Sequence, residues 1–61
     1  MFVKMTRVLP EGKETPVNVN MDQIVWAQPD SDSNTITLFM VSGPEVVVKS
    51  DATSVASFKT S

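Results

Sequence analysis

The chain has 61 residues, five Lys/Arg against seven Asp/Glu for a formal charge of −2, and neither Cys nor His. That excludes disulfide staples, zinc-finger ligand sets and imidazole acid–base chemistry, and it is the wrong overall sign for a protein held mainly by phosphate contacts. A domain this short buries only about 60% of the surface its unfolded chain exposes, so a partner chain is the remaining source of added stability.

Residues 1–9 alternate with period two: Met1, Val3, Met5 and Leu9 point one way, Lys4 and Thr6 the other. Arg7 interrupts the apolar side, and Phe2 and Val8 interrupt the polar one. A first strand is expected here, followed by a type I turn at Leu9-Pro10-Glu11-Gly12, where Pro presets φ and Gly suits the fourth position. Residues 17–21 repeat the alternation, with Val17, Val19 and Met21 inward and Asn18 and Asn20 outward. They predict a second strand, paired antiparallel with the first. Asn20 and Gln23 have capping-box spacing, which predicts a single helical turn over residues 21–23.

A third strand carrying Trp26 is expected over residues 24–28, closed by Pro29 because proline cannot donate to a central ladder. Asp30-Ser31-Asp32-Ser33-Asn34 reads as a polar loop, residues 35–42 as a fourth strand, Gly43-Pro44 as a turn, and residues 45–49 as a fifth strand. In residues 51–58, Ala52, Val55 and Ala56 recur at helical spacing, with Ser50 or Asp51 placed to cap a short C-terminal helix. The expected fold is therefore one small, mainly β domain: about five short strands in a bent antiparallel sheet or small barrel, plus that helix.

The fourth and fifth strands break the alternation. Phe39 and Val41 lie opposite Ile36, Leu38 and Met40, and Val46-Val47-Val48 is apolar on both sides. Strands apolar on both faces are normally covered on both. One Phe and two Val contribute about 1.5–3 kcal/mol each when buried, against a total stability of ~5 kcal/mol for so small a domain. Either the C-terminal helix folds over that second face with Val55 and Phe58, or a second copy docks on it. The sequence favours the homo-oligomer, with Phe39, Val41, Val47 and Trp26 as its interface, since aromatics are enriched at interface hot spots.

Other candidate sites are weaker. The Asp30–Asn34 loop imitates the opening of an EF-hand, but Thr35 stands where glycine must turn and Val41 where a bidentate Glu belongs, so no metal is expected. Ser and Thr have no imidazole to activate them, the Glu11/Glu14 and Asp30/Asp32 pairs lie in polar loops, and two glycines make no phosphate loop. No catalytic residue, enzyme activity or cofactor is expected. Lys4, Arg7, Lys13 and Lys49 would form a basic strip if the first strand lay beside the fifth, and Trp26 or Phe2 could then stack on a nucleic-acid base. No purely apolar run exceeds four residues, as in Leu38-Phe39-Met40-Val41, which is far too short for a membrane span. Residues 1–7 lack the regions of a signal peptide, so a cytoplasmic location is expected.

Read together, Lys4-Met5-Thr6-Arg7-Val8, Val17-Asn18, Ile24, Thr35-Ile36-Thr37-Leu38, Gly43 and Val47-Val48-Lys49-Ser50 leading to Val55 resemble the FlbD-like (swarming-motility) family of small flagellar proteins. That resemblance spans nearly the whole chain and implies a small bacterial protein with a link to motility. It departs in the longer turn at Leu9–Gly12 and in a Ser/Thr-rich tail where the family has a charged helix. Met5-Thr6-Arg7 and Pro44-Glu45-Val46 are similar to the carbon storage regulators, dimeric β proteins that bind messenger RNA. There the resemblance implies RNA contact at Arg7, while Lys49-Ser50 stands where that family has a second arginine. The functional expectation is a non-catalytic, self-associating protein-interaction module. The alternative is an RNA- or DNA-binding regulator using Lys4, Arg7 and Lys49.

Overall fold

A computed structural model describes residues 1–58. It contains β1 (Phe2–Val8), β2 (Glu14–Asn20), a 3₁₀ turn (Met21–Gln23), β3 (Ile24–Asp30), β4 (Thr35–Met40), β5 (Val46–Lys49) and α1 (Ala52–Phe58). All five strands form one open sheet in the order β2-β1-β5-β4-β3, with every neighbouring pair antiparallel. The protein is therefore mainly β, with a single short helix at its C-terminal end among the described residues.

Local chemistry accounts for the connections. Gly12 N–H donates to the Leu9 carbonyl at 2.9 Å and Leu9 N–H to the Lys13 carbonyl at 2.7 Å. Gly12 has φ +83°, so the β-turn ends on a left-handed residue, a common way to close a hairpin. Asn20 caps the 3₁₀ turn by accepting the Asp22 N–H at 3.1 Å. Between β3 and β4, Asp30 accepts the Asp32 N–H at 3.0 Å and Asn34 takes φ +57°, which Asn tolerates better than most residues. That loop is a hairpin end. Among the described residues, no group of three or more His, Cys, Asp or Glu is placed to hold a metal ion.

The 3₁₀ turn shapes the whole molecule. It joins β2 to β3, which are the two edges of the sheet and run in the same direction. In a flat sheet those edges would lie about 19 Å apart, and same-direction strands normally need a crossover of a dozen residues or more. Three residues suffice only if the sheet coils. A twist of about 20–25° per strand pair accumulates over four pairs to roughly a right angle, which brings the end of β2 to the start of β3. Met21 and Ile24, on either side of the turn, both pack against the core, as this coiling requires. The result is barrel-like, yet no ladder joins β2 to β3 among the described residues.

Met5, Val19, Ile36, Leu38 and Val48 are buried on the concave face, with Val3, Val17, Ala27, Met40, Val46 and Phe58 packed around them. The helix lies on this same face. Asp51 caps it, accepting the Ser54 N–H at 2.9 Å. The helical spacing of Ala52, Val55 and Ala56 suggested a different inward stripe, which fails at Val55 and Ala56, while the Ala52 side chain lies outside those described. Val55 and Ala56 are exposed, whereas Ser54 is fully buried and Phe58 packs on the core.

Strand limits shift where topology decides them. The second strand begins at Glu14, the fourth ends at Met40, and the fifth begins at Val46. Pro29 does not end the third strand but sits inside it, opposite Ile36, and Pro16 sits inside β2 opposite Thr6. Both lie on edge strands, where a missing N–H leaves no central ladder broken. No helix among the described residues is long and apolar enough to cross a membrane.

Candidate functional site

Strand alternation leaves the convex face to Phe2, Lys4, Thr6 and Val8 of β1, Val47 and Lys49 of β5, Thr35, Thr37 and Phe39 of β4, and Trp26 and Gln28 of β3. Because Arg7 pairs with Val48, Val8 stands beside Val47. Val47 pairs with Thr37 and Thr37 with Gln28, so one row crosses the sheet as Val8, Val47, Thr37, Gln28. The next row holds Phe39 opposite Trp26. Their rings stack with centroids 4.0 Å apart and planes 7° from parallel.

A β-bulge sets that pair in place. Ile24 lies opposite Met40 and Trp26 opposite Phe39, so Val25 is an extra residue in β3. Ile24 and Ala27 both pack on the core, although three residues apart they would fall on opposite faces of a regular strand. The inserted residue restores both to the inside and leaves Trp26 outside. Trp26 remains 52% exposed, and Val25 and Val41 63% each. Phe39 and Val47 are half-buried. Sequence reasoning missed Val25 and Val8 as members of this surface; the run Ile24-Val25-Trp26-Ala27 is the one trace of the bulge, since four consecutive apolar residues fit no alternation.

Polar groups border the apolar residues. Two shallow hollows on this face share Glu45 in their walls. One is floored by Val8, Val47 and Thr35, and the other is lined by Gln28, Thr37 and Phe39. Asp30, at the rim of the second, is held below the usual carboxylate range by the Ser33 hydroxyl and the Asp32 N–H, slightly opposed by desolvation.

The basic residues are only partly brought together. β1 does lie beside β5, and Lys4 and Lys49 both rise from the convex face. Lys49, however, is engaged with Glu14 at 3.7 Å across β1. Arg7 pairs with Val48 and so leaves the ladder on the concave side, but it is exposed at the sheet's end and lines the hollow with Val8, Thr35 and Val47. Lys13 is in the hairpin loop with Glu11 at 4.0 Å. No single face carries all four. Comparison with protein-family models, with curated proteins and with solved structures finds no match for this chain.

Proposed function

We propose that this chain is a non-catalytic protein-interaction module that associates with a second copy of itself through the convex face of its sheet. The observation that carries the reading is the Trp26–Phe39 stack, turned outward by the bulge and left half in water. The helix lies on the concave face, so nothing among the described residues covers this one. Both sheet edges carry a proline, Pro16 and Pro29, which disfavours continuous edge-to-edge pairing and leaves the face as the surface of association. Its charges are mixed in sign, with Lys4 and Lys49 against Glu14, Asp30 and Glu45, which suits a copy of the same surface better than a polyanion.

Size sets the strength. The two longer extents, 28 and 27 Å, outline a face of roughly 750 Å², close to the ~800 Å² each partner gives to a standard interface. Convexity reduces it further, so the association is weak and concentration-dependent. Light scattering on a sizing column tests this. A mass above 6.7 kDa that rises with concentration is expected; a constant 6.7 kDa at high micromolar protein overturns the reading.

The resemblance to small flagellar proteins makes a motility-linked protein the pathway partner of this reading, in the cytoplasm. An RNA- or DNA-binding regulator is the rival, and Lys4 and Lys49 sharing a face with an exposed Trp26 ring favour it. Titration against mixed RNA and DNA pools separates the two. Tight, salt-sensitive binding lost in Lys49→Ala puts the rival first, and no binding at low salt removes it.

A further inference from the structure

We infer that α1 is a latch that opens on its own while the five-stranded sheet stays folded, uncovering the concave face built on Met5, Val19 and Val48. The inference is independent of what binds the convex face. Seven residues make about two turns, well below the ~12–15 at which an isolated helix becomes marginal in water. The segment Ala-Thr-Ser-Val-Ala-Ser-Phe holds four residues, Thr53, Ser54, Val55 and Ser57, of indifferent helix propensity. Its hold on the sheet therefore rests on packing. Among the side chains described on it, Phe58 is the apolar one packed on the core, while Val55 and Ala56 face water.

Beneath the helix sits a group that works against closure. Ser54 is fully buried, and its hydroxyl makes no hydrogen bond. Such a group forfeits its water partners in the closed state and recovers them when the helix lifts. The Asp51 cap on Ser54 N–H and the Val55 N–H bond to the Asp51 carbonyl, both at 2.9 Å, are internal to the helix segment and do not tie it to the sheet. The hinge is short and defined. Ser50 N–H is tied to the Asn34 carbonyl and Asp51 N–H to the Lys49 carbonyl, both at 3.0 Å, so movement begins after Asp51.

Hydrogen exchange by NMR on the full chain in increasing sub-denaturing urea tests the latch. The Val55 amide is expected to exchange through an opening that hardly depends on urea, with protection about a hundredfold below that of Ile36 and Leu38 in central β4. Ser54→Ala removes the unpartnered hydroxyl and raises Val55 protection about tenfold. Phe58→Ala abolishes Val55 protection while Ile36 and Leu38 stay protected. One free energy and one urea dependence shared by Val55 and Leu38 overturns the inference. So does a sheet that unfolds in Phe58→Ala, or a Ser54→Ala variant in which Val55 protection is unchanged.

Discussion

Replacing Trp26 by alanine separates what the aromatic pair contributes within one chain from what it contributes between chains. An indole side chain has about 200 Å² to bury, and with 52% of Trp26 exposed roughly 100 Å² per chain is left for a partner. At about 25 cal/mol per Å² that is ~2.5 kcal/mol per chain, or about 5 kcal/mol across a two-fold interface that uses both copies. Association should weaken by three to four orders of magnitude. Within the chain the loss is the other half of the ring's burial plus the stack on Phe39, together about 3 kcal/mol of folding stability. Sedimentation velocity at several concentrations reads the first quantity and urea unfolding the second. Trp26→Phe keeps most of the stack and serves as the folded comparison if the alanine variant is too unstable. A folded variant whose sedimentation matches the parent at every concentration would refute the placement of Trp26 in the interface.

Four further outcomes follow from the same geometry. Gly12→Ala should destabilise by about 1–2 kcal/mol in thermal unfolding: open space surrounds the position, so φ +83° alone sets the penalty. Asp51→Ala, which removes the helix cap, should lose ~1 kcal/mol and lower the helical circular dichroism signal. Asp30 has a depressed folded pKa, so its contribution is present above the ordinary carboxylate range and fades as pH falls through the lowered value. Asp30→Asn should flatten that acid limb of the stability curve, and an unchanged limb would contradict the hairpin geometry. Deleting Val25 should give a regular third strand with Ile24 and Ala27 still inward and Trp26 still in water, read as unshifted tryptophan fluorescence.

Features specified within a few residues were legible in the sequence. Pro10 and Gly12 encode their turn, Asn20 encodes the 3₁₀ turn by its cap, and Asp51 the helix start. Features set by topology were not. Pro29 and Pro16 are compatible with strands because β3 and β2 are edges, a fact of strand order that no local pattern carries. The inward face of α1 was only partly legible: Phe58, expected to pack inward, does pack on the core, but apolar spacing also pointed to Val55, while the sheet accepted Ser54, four residues before Phe58. In the candidate site, Phe39 and Val47 could be placed by alternation alone. The side taken by Trp26 depended on the bulge, and strand adjacency overstated the basic strip by including Lys13, which lies in the hairpin loop beside Glu11.

The coiling that makes so small a sheet enclose a core also decides where its second apolar surface can act. A three-residue link between opposite edges curls the strands around Leu38 and Val48, so the residues that alternate outward are splayed over a convex surface. Splayed side chains reach one another poorly across a sheet, and Trp26 and Phe39 are in stacking contact because they face each other on adjacent strands. A partner pressed against a convex surface meets such a prominence first and the flanking Thr37 and Val47 afterwards. Binding energy should thus be concentrated at the β3–β4 corner, and substitutions at Val8 on β1 should alter association far less than those at Trp26 or Phe39.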